Sequence, residues 1–242
     1  IERLKYECIN NPLDFLIISV SFGTATKVKE DEDINKIIKK ADSRMYYNKI
    51  KQNKEAKQNL INHLKIKLEE ITFETNEHYK RLENLSMQLA EKLNLSQKDK
   101  DELRLLCEFH DIGKIGVSKQ ILQKQDSLNN DEWDDIKRHS EIGYQILKGT
   151  KKDLAVNDLI LVHHERWDGK GYPGFLKSEE IPLVVRIFSI VDAYEAMIND
   201  RPFKSRISKE EALKEIKNNA GSQFDPNLAH AFVEFMMERY IA

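Results

Sequence analysis

The chain has 242 residues, room for one large domain or for one domain and a fragment of another. Its 39 Lys and Arg against 41 Asp and Glu give a formal net charge of −2 and a pI near 6.4, which argues against a binder of nucleic-acid polymers working through bulk positive charge. Hydrophobic residues at 40% suffice for a buried core and exceed what a disordered chain carries, and no apolar run approaches the ~18 residues of a membrane span.

Cys8 and Cys107 are the only cysteines, which excludes a disulfide framework and a Cys-rich zinc site and suits a reducing compartment, so a cytoplasmic location is expected. The sequence starts at Ile1 with no secretory signal pattern, and is expected to be a segment of something longer. Seven histidines remain as the feature whose placement decides the chemistry.

In chain order, the apolar and β-branched run from Phe15 to Phe22, closed by Gly23, predicts a strand. From Ile34, apolar residues at Ile34, Ile37, Ile38, Ala41 and Met45 recur at helical spacing. Between Gly23 and Gly113 there is neither Gly nor Pro, so residues 50–95 should be largely helical, with Leu60, Leu64, Leu68, Ile71, Leu82, Leu85 and Leu89 three and four apart. Two readings of that long helix stay open. It is an amphipathic helix packed on its own domain, or it pairs with its twin in a homodimer through a seam that Lys65, Lys67 and Glu70 interrupt. Further helices are predicted over Asp99–Phe109, Asp131–Leu147, Val156–His164, Ile187–Asn199, Ser208–Asn219 and Pro226–Tyr240. The fold class is therefore mainly α, a helical bundle preceded by a long helix and a short α+β N-terminal fragment.

Several spacings carry chemistry. His110-Asp111-Ile112-Gly113-Lys114 offers a ring nitrogen and a carboxylate side by side, a mixed donor pair suited to Fe, Mn or Zn, with Lys114 one turn on as a cation for a phosphate. A His-Asp pair alone is more often a surface or capping feature. Glu74 and His78, four apart, share a helix face. His163-His164-Glu165 follows an apolar run and leads into the Gly-rich stretch from Asp168 to Gly174; neighbours on a helix point about 100° apart, so the two histidines would reach different ions. Asp192 lies inside the apolar stretch Val184–Met197, where an isolated carboxylate is costly unless a cation faces it. His139 alone would read as a surface residue.

Taken together, Glu74-x3-His78-x2-Arg81, the His110–Lys114 run, a single His139, the run from His163 to Pro173 and the distal Asp192 resemble the HD-GYP domain, a branch of the HD phosphohydrolases that hydrolyses cyclic di-GMP. The resemblance covers about residues 70–236 and includes Leu122-x-Lys124, Ile181-Pro182 and the stretch Gly221–Pro226. It implies an HD-type bundle in which His110, Asp111, His139, His163, His164 and Asp192 hold two divalent metal ions, with Asp111 bridging. Glu74 and His78 match positions that in some members hold a third. Iron is the ion the resemblance favours, with manganese an alternative. It further implies that Lys114 meets the scissile phosphate, that Arg201 and Lys204 hold phosphates and guanines, and that Tyr172 shapes the pocket. The implied product is linear pGpG, cleaved on to GMP in some members; the alternatives are another cyclic dinucleotide such as 3′,3′-cyclic GMP-AMP, or a receptor that binds without cutting.

Departures from the family pattern are Glu195, where many members have Asp, Gln125-Asp126 for a common Pro-Gly, and Ser178 for a common Gly. The first is expected to alter a substrate contact. Ile18–Gly23 and Ala41–Lys49 resemble the closing strand and last helix of a GGDEF domain whose active-site loop is absent. The expected organisation is a partial GGDEF-like fragment over 1–50, a helical linker over 51–70 and the phosphohydrolase domain over 71–242.

Overall fold

A computed structural model describes residues 21–72, 76–150, 154–200 and 205–241. Among these the chain is helical and contains no strand; the expected strand falls outside them except for residues 21 and 22, which are irregular. The chain divides into two units, and the division falls between His63 and Leu64.

In the first unit, α1 (Ile34–Ile71) begins where the Asp33 carboxylate accepts the Asn35 N–H at 2.9 Å, and its 38 residues run on past the division. The stretches expected as a fragment end and a linker thus share one helix. The backbone at 22–24 lies against α1: Asn48 Nδ2 donates to the Phe22 carbonyl at 2.8 Å and Arg44 to the Thr24 carbonyl. A Cβ on Gly23 would stand 2.0 Å from the Ala41 carbonyl oxygen, so the approach requires glycine.

The second unit holds α2 (Asn76–Lys92), α3 (Gln97–Phe109), a 3-10 turn (Ile112–Gly116), the short α4 (Lys119–Leu122), α5 (Asn130–Lys137), α6 (His139–Thr150), α7 (Leu154–Leu161), a second 3-10 turn (Ser178–Glu180), α8 (Leu183–Ile198), α9 (Lys209–Asn218) and α10 (Pro226–Ile241). Helix α8 is the centre. It is mostly apolar, buries Val184, Val185, Ile187, Phe188, Ile190, Val191 and Tyr194, and packs against α2, α3, α9 and α10, as a helix with so wide an apolar surface must. Capping boxes start α5 at Asn129 with Glu132 and α9 at Ser208 with Glu211.

Two expected helices differ from those observed, for one physical reason. The helix predicted over Asp131–Leu147 is two, α5 and α6, because His139 Nδ1 donates to the Ile136 carbonyl at 2.7 Å and the Arg138 N–H closes onto Asp134 and Ile136. The helix predicted to reach His164 stops at Leu161, and His163 Nδ1 donates to the Ile160 carbonyl at 2.6 Å. In each case a histidine side chain takes a carbonyl three residues back that a continuing helix would have used.

Ser178, where a glycine is common, adopts φ of +51°, which accounts for the usual residue.

Candidate metal centre

The breaks that end these helices aim their histidines at one point. His110 caps the C-terminus of α3 and donates from Nδ1 to the Cys107 carbonyl at 3.2 Å, the same three-residue tether that holds His139 and His163. With Nδ1 tied to the backbone, each ring presents Nε2 inward, the tautomer a metal ligand needs. Asp111 follows at the start of the 3-10 turn with φ −95° and ψ 0°.

Two groups of donors result. His139, His163 and His164 form one, and His78, His110 and Asp192 the other, with ligand atoms in each lying within 4.8 Å of one another. His163 and His164, expected to reach different ions, share a group because the helix has ended at Leu161 and its 100° spacing no longer separates them. Asp111 stands between them: Oδ2 is 3.0 Å from His110 Nε2, and Oδ1 is 3.9 Å from His139 Nε2. Lys114 Nζ lies 2.9 Å from the same Oδ2. His78 therefore joins His110 and Asp192 rather than standing apart from them.

The donors fit a cation. His139 Nε2 and His163 Nε2 face each other at 3.3 Å. Burial, then the neighbouring His139 and His110, holds His163 well below the usual imidazole range, so it is neutral and its one proton is spent on Ile160. His164 is held down likewise, by burial and then by His163 and His139. His163 Nε2 is thus a bare lone pair, and what faces it must be positive: a second proton on His139, or a metal ion. A proton is shared by two atoms. Three convergent imidazoles with the Asp111 carboxylate close by match instead an ion with four or more ligands, and two donors at about 2.1 Å from one ion lie roughly 3–4.2 Å apart.

The Gly-rich loop forms the wall. Glu165 is 3% exposed, and its Oε1 accepts the Gly174 and Phe175 N–H groups at 2.9 and 2.7 Å. The Tyr172 N–H donates to the His164 carbonyl at 3.2 Å, which sets the phenol ring 4.6 Å from the His164 ring between centroids. A Cβ on Gly171 would meet Arg166 N and the His164 carbonyl oxygen at 2.5 Å, so only glycine lets the loop lie this close. Burial pushes the Tyr172 phenol up, and it stays protonated as a donor. The loop is pinned further by Trp167 and Asp168 N–H groups donating to the Gln223 and Ser222 carbonyls.

Residue spacing missed two members of this neighbourhood. Glu195 Oε2 lies 2.7 Å from His78 Nδ1 while Oε1 accepts from Arg81 Nε at 2.7 Å, so it reaches a histidine of the donor groups. Burial pushes its carboxyl up, but His78 and then Arg81 outweigh that and hold it below the usual range. Glu165 is the other, buried as the tie of the loop. Of the expected site residues, His78, His110, Asp111, Lys114, His139, His163, His164, Tyr172 and Asp192 come together. Glu74, Arg201 and Lys204 lie outside the described residues.

Residues 39–228 match the family model described as HD domain. The chain is 36% identical over 167 residues to a cyclic di-GMP phosphodiesterase of Thermotoga maritima, covering 68% of this chain and 45% of the relative. It is 30% identical over 183 residues to a 3′3′-cGAMP-specific phosphodiesterase of Vibrio cholerae, covering 75% of this chain and 35% of that protein. A crystal structure of a cyclic GMP-AMP-specific phosphodiesterase of Vibrio cholerae shares the fold with a TM-score of 0.56 at 22% identity, over 75% of this chain and 49% of that one. The chain spans less than half the length of these curated relatives. It belongs to the HD domain family.

Proposed function

We propose that this chain is an HD-GYP phosphodiesterase that hydrolyses cyclic di-GMP to linear pGpG in the cytoplasm, using two or three divalent ions, iron or manganese. The observation that carries the reading is the pair of facing, tethered imidazoles His139 and His163, whose 3.3 Å separation calls for a cation beside a carboxylate that reaches a second donor group. The relatives named for cyclic dinucleotides support the substrate class.

In this reading His139, His163 and His164 would hold one ion and His78, His110 and Asp192 a second, with Asp111 within reach of both groups; Glu74 and His78 are the residues expected to hold a third. Bound there, divalent ions acidify a water and neutralise charge on phosphoryl oxygens. The protein's own groups do the rest. Lys114, held by Asp111, offers its ammonium to a non-bridging phosphate oxygen, where charge grows as the bond breaks. Tyr172, which keeps its proton, offers its phenol O–H as a hydrogen-bond donor from the loop wall. Arg201 and Lys204 are the expected holders of the second phosphate and the guanines. The N-terminal fragment is read as the end of a GGDEF-like domain, with a sensory region and dimerisation through α1 as further expectations of the whole protein.

Chromatography of products from cyclic di-GMP and from 3′,3′-cyclic GMP-AMP, with manganese or anaerobic iron, tests the proposal. Production of pGpG is expected. Cleavage of the mixed dinucleotide alone moves the substrate assignment, and binding without cleavage by metal-loaded protein establishes a receptor instead. Asp111→Ala should lower turnover about a thousandfold or more, the scale of losing a group that stabilises developing charge, while circular dichroism stays helical.

A further inference from the structure

Helix α8 carries two carboxylates in a mostly apolar sequence, Asp192 and Glu195, one turn apart. Asp192 belongs to a donor group; Glu195 does not, yet it is the more buried, at 3% exposure. A carboxylate so placed needs donors on both oxygens. Oε2 takes His78 Nδ1 at 2.7 Å, and Oε1 takes Arg81 Nε at 2.7 Å and Asn199 Nδ2 at 3.0 Å.

His78 lies on α2, one helical turn before Arg81, so a single acidic residue on α8 grips two residues of one α2 face. The tie fixes the ring rotation of His78 and commits its Nδ1. Only Nε2 is then left for the partners His110 and Asp192. His110, His139 and His163 achieve the same with backbone carbonyls; His78, the third residue of α2, takes instead a side-chain acceptor from another helix, Glu195 of α8.

We propose that Glu195, anchored by Arg81 and Asn199, is the positioning residue that turns His78 into a metal ligand. A charged acceptor on Nδ1 makes the imidazole a better donor at Nε2 than a carbonyl does, so Glu195 sets how tightly the group of His78, His110 and Asp192 holds its ion. The glutamate at this position acts on the metal through His78, not on the dinucleotide. The inference rests on the proposed metal centre and concerns its loading, which is measured without substrate.

The test is a manganese titration of the full chain, with free ion followed by electron paramagnetic resonance, for wild type, Glu195→Gln, His78→Ala and the double variant. Glu195→Gln should weaken one class of site by about 10–100-fold and leave the other unchanged. In the His78→Ala background the same substitution should change the remaining sites less than about twofold, since what it acts through is gone. Unaltered manganese binding by Glu195→Gln overturns the inference alone, as does an equal loss in both backgrounds, because the residue would then act by structure and not through His78. A wild type that takes up no manganese and no iron overturns the metal centre and the inference together. Metal-free melting separates misfolding from site loss, and if Glu195→Gln does not fold, Arg81→Gln, which removes only the half-exposed anchor, replaces it in both backgrounds with a several-fold loss expected in the first and none in the second.

Discussion

Asp111 is one residue serving two donor groups, and its backbone explains how: α3 ends at Phe109, so the chain turns just where an acid must project between helices. Beside it, Cys107 has a different fate. Burial raises its thiol to about 12, with Ser86 partly opposing, so it is a protonated packing residue despite its place three residues before His110. With Cys8 replaced by Ser, native protein should give less than ~0.1 equivalent of thiol with Ellman's reagent at pH 8 and one equivalent after denaturation; rapid native reaction would contradict the burial. The candidate donors were readable in the sequence because His, Asp and their spacings announce their chemistry. The partners of Glu195 and Glu165 were not: the family pattern marked Glu195 only as a departure expected to alter a substrate contact. A carboxylate that pairs with a histidine 117 positions away leaves no local mark, and neither does one that accepts two loop amides.

Among elements, the 3-10 turn Ile112–Gly116 is packed backbone to backbone on the start of α6, which brings Asp111 and His139 within reach of each other. Gly113 permits this: a Cβ there would stand 1.9 Å from the His139 carbonyl oxygen and 2.5 Å from Gly143 N. Backbone atoms cannot yield as side chains do, so Gly113→Ala should cost about 3 kcal/mol, read as a lower urea midpoint at unchanged slope. The helices themselves were legible from the spacing of apolar residues. Their interruptions at Arg138 and after Leu161 were not, since neither has a Gly or Pro; a histidine capturing its own upstream carbonyl looks, in sequence, like any histidine in a helix.

Across the second unit, the donor groups gather side chains from α2, the cap of α3, α6, α8 and the chain after α7, so an ion bound in either group would join segments far apart in sequence. Binding only to the folded form stabilises it by about 4 kcal/mol at a thousand times the dissociation constant. In a unit of this size that corresponds to a rise of about 8–16 °C in melting temperature. Manganese should produce such a rise in calorimetry and a chelator should reverse it, whereas Asp111→Ala should respond much less. At this scale sequence indicated a helical bundle and a cluster of ligands, while the position of the division between the units had no marker: no Gly or Pro lies near His63, and α1 continues through it.

The two acids of α8 have an evolutionary corollary. Their usefulness depends on rotational phase, and each inserted or deleted residue turns the remainder of a helix by about 100°. A single insertion before Asp192 would withdraw both Asp192 and Glu195 from their partners and push apolar neighbours into their places. The apolar residues around them can exchange with one another at modest cost. Descendants of this chain that keep the site are therefore expected to vary freely in the aliphatic content of α8 and hardly at all in its length.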